Sequence, residues 1–331
     1  MKITAYGVNQ TETTFLQQLA QERGFELTLV KEWASAENLD LAAGSAAINS
    51  LQTGPYDEPL FAKMAALHIP LLALRNVGTD NIDFAAAKKY GIQISNVPVY
   101  SPETITEFVL MSALRLLRRS KEMDLAISAG ELNPAKKMVG RQLSTQVVGV
   151  VGTGHIGYTV ATLMHQIGAE VIAYDAYPRK DAPDWLHYQS SLETLLQRAD
   201  VLTLHVPGLK ANDHLLNAER LAMLPDDAIV INTGRGNLID TAALINALNT
   251  GKLAGAAIDT FEFESTIEDQ IQSGQAPSES HYLQLQDMPN VIMTPHIAYH
   301  SLGAVENMVK IAIDNIFSFT QDGSLINPVE G

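Results

Sequence analysis

Three short polar stretches in the second half of the chain hold residue types suited to acid–base and anion chemistry. INTGRGNLID (231–240) carries Arg235 between two glycines, IDTFEFES (258–265) carries Asp259, Glu262 and Glu264, and TPHIAYH (294–300) carries His296. Histidine titrates near neutral pH, and a neighbouring carboxylate would raise its pKa and fix its tautomer, so His296 is of the type that serves as a general acid or base. Arginine adds a planar, permanent cation whose fork matches a carboxylate. Together these groups suit proton transfer on a small anionic molecule. Taken singly, Arg235 reads as a surface charge, His296 as a loop histidine and Glu264 as a solvated acid. Each stretch, however, directly follows an apolar run with the composition of a buried strand: Ala228–Asn232, Ala256–Ile258 and Val291–Thr294. In one open parallel sheet, such strand ends share a crevice, which is where ligands bind.

A fourth stretch supplies that sheet with a second function. Residues 146–175, QVVGVVGTGHIGYTVATLMHQIGAEVIAYD, begin with the β-branched run Val147–Val151 and continue with Gly152, Gly154 and Gly157 in the spacing G-x-G-x-x-G. Apolar Val160, Leu163, Met164 and Ile167 then recur at helical spacing, Gly168 stops the helix, and a second strand, Glu170–Tyr174, ends on Asp175. Gly152 permits the tight turn, Gly154 lets backbone amides reach a pyrophosphate, and Gly157 lets the helix approach the strand. The helix N-terminus offers unpaired N–H groups and a positive dipole end to phosphate. Asp175, 18 residues beyond the last glycine, accepts hydrogen bonds from ribose hydroxyls and repels a 2′-phosphate. Glycine spacing alone is weak evidence. With strand, helix, second strand and acid all in place, it predicts a dinucleotide site that takes NAD rather than NADP.

The remaining elements must position these groups. Residues 1–100 alternate strand (3–6, 25–30, 46–51, 70–75, 93–96) and helix (12–23, 58–67, 84–90), the pattern of a parallel sheet with helical cover. Ser101-Pro102-Glu103 opens a long helix expected to run to Ala129, and Ser301–Thr320 forms a last amphipathic helix. Residues 264–286 are polar and weakly patterned.

At 331 residues the chain is long enough for about two domains. The 37 acids against 22 bases give a formal charge of −15, which argues against nucleic acid and anionic membrane as partners. There is no cysteine, so disulfides and thiolate chemistry are excluded. The nine histidines show no ligand spacing, and no metal is expected. MKITAYG enters a strand at once and no apolar run reaches membrane-spanning length, which suggests a cytoplasmic protein without a signal peptide.

VVGVVGTGHIG with Asp175, HVPG (205–208), INTGRGNLID, DTFEFE and TPHIAY together resemble the D-isomer-specific 2-hydroxyacid dehydrogenase family over essentially the full chain. The resemblance implies an α/β fold of two doubly wound parallel-sheet domains. A Rossmann NAD-binding domain (101–298) is inserted into a flavodoxin-like substrate domain (1–100 plus 299–331). It implies that His296 is the general acid/base, that Glu264 pairs with it, and that Arg235 binds the substrate carboxylate and polarises its carbonyl. It sets Gly152, Gly154, His155, Ile156, Gly157, Asp175, Val206, Pro207, Thr233, Gly234 and Asp259 at the cofactor, Asp259 also supporting the site. Val77 and Gly78 offer backbone amides to the carboxylate, and Tyr100 and Tyr299 are candidates for the pocket wall.

INSLQTGPY (48–56) is closest to the hydroxyisocaproate branch of that family, with Leu51 where lactate-preferring relatives carry tyrosine. The reading is therefore an NAD-dependent reductase of 2-oxo acids with medium or bulky side chains, with substrate between the domains and hinges near 100 and 299. A homodimer is expected, through the 101–129 helix. Two alternatives stay open: a D-lactate dehydrogenase acting on pyruvate, and an NAD(H)-sensing corepressor-like binding protein of the same fold. A phosphoglycerate dehydrogenase is disfavoured, since little chain follows the last helix.

Overall fold

The computed structural model describes residues 1–329, and the chain divides into two compact units, Met1–Ser101 with the chain from His300 onward, and Pro102–Tyr299. In the first unit, five short segments become β1 (Lys2–Tyr6), β2 (Glu26–Val30), β3 (Ala47–Ser50), β4 (Leu71–Leu74) and β5 (Gln93–Ser95). All pair in parallel, in the order β2-β1-β3-β4-β5. Every residue of β3 and β4 is buried, because helices cover both sheet faces. On one face Val305, Val309, Ile313 and Ile316 of the C-terminal helix Leu302–Asp322 pack against Ile3, Ala5, Leu71 and Ala73. On the other, Leu60, Phe61 and Met64 of Glu58–Ala66 share a core with Ile48, Leu72 and Ile94.

A buried cation orders the strand ends of this sheet. Arg75, wholly buried just beyond β4, donates to Glu12 Oε1 (2.8 Å), Asn49 Oδ1 (2.8 Å) and the Tyr6 carbonyl (2.9 Å). Glu12 is in turn fixed by a reciprocal capping box with Asn9 at the start of the helix Gln10–Arg23. Fully partnered in this way, the ion pair avoids the cost of a lone buried charge and ties residue 75 to the ends of β1 and β3.

The second unit holds β6 (Val147–Val151), β7 (Glu170–Tyr174), β8 (His187–Tyr188), β9 (Val201–Leu204), β10 (Ala228–Asn232), β11 (Leu253–Ile258) and β12 (Val291–Met293). Their order is β12-β11-β10-β9-β6-β7-β8, again all parallel. The order reverses between β6 and β9, the topological switch point at which open α/β sheets bind ligands.

Three local expectations change. The helix that starts at Pro102 stops at Leu117, and a second one begins at Ser120. Arg119 takes a left-handed φ of 53° between them, and the returning chain caps the break through Arg141 N–H to the Leu117 carbonyl (2.8 Å). The weakly patterned 264–286 segment contains two helices, Glu264–Gln272 and Ser280–Asp287. They are anchored by Ile267 and Leu285, too few buried residues to leave a readable period. The two-residue strand β8 gives no alternation to detect.

Candidate active site

β10, β11 and β12 are parallel neighbours with Asn232 opposite Ile258 and Ile258 opposite Met293, so the three polar stretches leave one sheet edge side by side. Asn232, 1% exposed, shapes the first. Its Nδ2 donates to the Arg235 carbonyl (2.8 Å) and, more weakly, to that of Thr260 (3.4 Å), while its Oδ1 accepts the Gly234 N–H (3.1 Å). Arg235 Nη1 donates to the Gly234 carbonyl (2.9 Å). Two glycines make room for this loop. A Cβ on Gly208 would stand 2.8 Å from Arg235 Cγ, and one on Gly236 would stand 2.1 Å from the Phe261 carbonyl oxygen. The arginine loop and the loop after β11 thus press together backbone to backbone.

His296 has its Nδ1 2.6 Å from Glu264 Oε1. A carboxylate at that distance holds the proton on Nδ1, leaving Nε2 as the atom that exchanges a proton with a reactant. Burial works against the charged imidazole, but the hydrogen bond and charge of Glu264 outweigh it. Asp259 adds to that effect and Arg235 opposes it, and the net result is a raised pKa. The backbone at His296 is left-handed, φ 52°. That conformation costs free energy for a residue with a Cβ and clusters at functional sites.

Asp259 shows what holds it there. Its Oδ1 accepts from Thr294 Oγ1 (2.6 Å) and Ile297 N–H (2.9 Å), its Oδ2 from Ala298 N–H (2.9 Å), and its carbonyl from His296 N–H (2.8 Å). The resemblance set Asp259 at the cofactor. In the structure this carboxylate, 3% exposed, is engaged by the loop that carries His296. The Tyr299 ring lies edge-on to His296 with centroids 6.3 Å apart.

At the switch point, Gly152 has a φ of 89° and a Cβ there would meet the His205 carbonyl oxygen at 2.6 Å and Val206 Cγ1 at 2.8 Å. A Cβ on Gly157 would meet the Gly152 carbonyl oxygen at 1.9 Å. Gly154 differs: apart from its neighbours along the chain, nothing lies within 4 Å of a Cβ built on it. The space beside the N-terminus of the helix His155–Gln166 is therefore open, which is compatible with a pyrophosphate there. His155 and Ile156 form that helix's first turn. Asp175 closes β7 and accepts the Thr153 N–H (2.6 Å). Pro207 is exposed beside Val206, with its carbonyl held by Asn212 Nδ2 (2.9 Å). The Thr233 hydroxyl is buried without a partner among the described residues. A clear helix N-terminus, an acid at the next strand end and an unsatisfied hydroxyl fit a dinucleotide.

The remaining candidates lie in the first unit. Ser50 pairs opposite Leu74, and Arg75 N–H donates to the Ser50 carbonyl (2.8 Å), so Leu51 and the 75–78 loop emerge from adjacent strands. The carbonyls of Val77 and Gly78 are taken by Asn96 Nδ2 (2.8 Å) and Asn76 Nδ2 (2.7 Å). Tyr100 gives its carbonyl to Asn307 Nδ2 (2.7 Å). Residue types alone did not mark Asn232, nor the pair of His214 Nε2 with Glu262 Oε1 (2.5 Å). Glu262 also accepts the Thr241 N–H (3.2 Å), bracing the helix after the arginine loop. The one available signal was a polar residue closing the buried strand β10.

Comparison with known proteins agrees with this geometry. The family model for the D-isomer specific 2-hydroxyacid dehydrogenase, NAD binding domain, matches residues 110–298. The chain is 44% identical to a D-2-hydroxyacid dehydrogenase (NAD+) of Lacticaseibacillus paracasei, covering 100% of this chain and 99% of that one. It is 38% identical to a D-lactate dehydrogenase of Lactobacillus delbrueckii subsp. bulgaricus, covering 99% of each. A solved D-2-hydroxyisocaproate dehydrogenase superposes over the full length of both chains with a TM-score of 0.94 and 42% identity. With catalytic-type residues, dinucleotide fingerprint and full-length likeness in agreement, the chain belongs to the D-isomer-specific 2-hydroxyacid dehydrogenase family, NAD-dependent oxidoreductases.

Proposed function

We propose that this oxidoreductase reduces 2-oxo acids with medium or bulky side chains, such as 2-oxoisocaproate and phenylpyruvate, to D-2-hydroxy acids. The observation that carries the chemistry is the 2.6 Å pair of His296 and Glu264 on the strand edge that also bears Arg235. NADH, when bound, supplies the hydride that reaches the carbonyl carbon. Gly152, Gly154, His155, Ile156 and Gly157 would hold its pyrophosphate, Asp175 its ribose, and Val206, Pro207, Thr233 and Gly234 the remainder. Arg235 binds the carboxylate and draws electron density from the carbonyl. Protonated His296 gives the Nε2 proton to the carbonyl oxygen, and Glu264 stabilises the imidazolium before that transfer. Asp259 acts by holding the His296 loop. Val77 and Gly78 are read as carboxylate donors, with Tyr100 and Tyr299 in the pocket wall.

The size preference rests on Leu51. A leucine beside the carboxylate loop leaves room that a tyrosine would fill, and the solved relative at 42% identity is a D-2-hydroxyisocaproate dehydrogenase. Each methylene that fits an apolar pocket is worth roughly 1–3 kcal/mol of discrimination. NADH-linked absorbance with a panel of 2-oxo acids should show 2-oxoisocaproate or phenylpyruvate favoured over pyruvate by about 10-fold or more in kcat/KM. Leu51→Tyr should erase that preference by penalising the large substrates. A wild type that prefers pyruvate would instead establish the D-lactate dehydrogenase reading, which relatives of that name favour. The relatives reported above are dehydrogenases, which leaves the corepressor-like alternative without support.

We also propose a cytoplasmic homodimer. Among residues 111–139, Met111, Leu114, Leu125, Ile127, Leu132 and Val139 are between 40% and 83% exposed, an apolar surface suited to a second copy. Sedimentation equilibrium should return twice the chain mass. Among the described residues no helix is long and apolar enough to cross a membrane.

A further inference from the structure

We propose that Thr153 and Tyr188 are positioning residues for cofactor choice, because they lock the Asp175 carboxylate in place. This rests on the reading of Asp175 as the acid that faces the ribose. Thr153, the residue between Gly152 and Gly154, is 2% exposed. Its N–H and its hydroxyl both reach Asp175 Oδ2, at 2.6 and 2.9 Å. Its Oγ1 also lies 2.7 Å from the Tyr188 hydroxyl, which in turn is 3.3 Å from Arg179 N–H. The directions of these bonds are forced. An ionised carboxylate only accepts, so the single Thr153 proton points to Asp175 and Oγ1 must accept from Tyr188. The Tyr188 oxygen is then left to accept from Arg179 N–H. Tyr177 N–H holds the other carboxylate oxygen, Oδ1, at 2.8 Å.

Three protein donors thus occupy three of the carboxylate's roughly four acceptor positions. A carboxylate held on both oxygens cannot swing aside. One acceptor position is left for a ribose hydroxyl, while a 2′-phosphate meets a negative charge that cannot retreat. Specificity of this kind combines a contact with the right partner and a repulsion of the wrong one. The relay crosses from the loop after β6 to the end of β7 and to β8, where Tyr188 pairs opposite Ala173. The short strand β8 therefore takes part in reading the cofactor from behind Asp175.

The test is equilibrium binding of NADH and NADPH, followed by nucleotide fluorescence, in the full-length protein and four variants. Tyr188→Phe and Thr153→Val should each narrow the ratio of the NADPH Kd to the NADH Kd by about 3- to 10-fold, the range expected for one hydrogen bond. Thr153→Ser, which keeps the hydroxyl, should hold the wild-type ratio. A merely structural role would weaken both nucleotides together and leave the ratio fixed, and that result overturns the proposal. Asp175→Ala separates the two layers. If it leaves the ratio unchanged, Asp175 does not read the ribose and the underlying assignment fails. If it narrows the ratio while Tyr188→Phe and Thr153→Val do not, only the relay fails.

Discussion

Burial alone would strip His296 of its proton, since a low-dielectric setting penalises the imidazolium. Glu264 reverses that balance through a hydrogen bond and a charge, and the pKa of His296 ends above its ordinary value. Reduction consumes a proton from His296, so the rate should hold through neutral pH and fall as pH rises through this raised pKa. Glu264→Gln removes the charge, and the alkaline fall should move to lower pH. Steady-state rates against pH, taken where chemistry limits turnover, check this, and an unmoved profile would show that the two groups are uncoupled. His296→Asn should lower kcat by about 10²–10⁴-fold with NADH binding retained. These side chains were legible beforehand because so few residue types can move protons near neutrality or fork a carboxylate. The residues that aim them were not. Asn232 closes a buried strand and looks like any loop opener, and no spacing reveals that both Asp259 oxygens would be spent on residues 294–298.

Loops, not only side chains, set the geometry at the edge of β10 and β11. Gly236 lies against the backbone of Phe261, with 2.1 Å between a built Cβ and the carbonyl oxygen, so neither side can yield by turning a side chain. Gly236→Ala should push the arginine loop away from the Glu264 loop. It should cost about 1–3 kcal/mol of stability, as overpacking does, and raise KM for the oxo acid more than the Kd for NADH. Denaturant unfolding and the two binding measurements check it. An unaltered KM with full stability would mean that the loops part freely. At this scale the sequence was most informative where strands are buried on both faces. β4 is wholly apolar, β3 and β10 begin as apolar runs, and every residue of the three is buried, so their ends are legible to within a residue or two. It was least informative where tertiary contacts override local pattern. At the break by Arg119, the Leu117 carbonyl is capped by Arg141 from a distant point in the chain, and the 102–117 helix by itself carries nothing that announces its end.

Across the whole molecule, acid should act through more than the many carboxylates. Burial pushes the His205 imidazole down to about 4 from 6.5. Between those values the unfolded chain binds a proton there and the folded protein does not. The stabilising effect of keeping this ring neutral is therefore complete above about pH 6.5 and is lost progressively as pH falls toward 4. Urea midpoints at pH 7 and pH 5 should differ less in His205→Asn than in the wild type. An equal difference would mean that His205 is protonated in the folded state as readily as in the unfolded one.

The first unit is also discontinuous in the chain: residues 1–101 build its sheet, and the helix Leu302–Asp322 covers one face. During synthesis Ile3, Ala5, Leu71 and Ala73 leave the ribosome well over two hundred residues before Val305, Val309 and Ile313 arrive to cover them. The second unit, contiguous from 102 to 299, needs no such wait. The portion made first is thus the portion finished last, and its bare apolar face is what a chaperone would meet on the nascent chain.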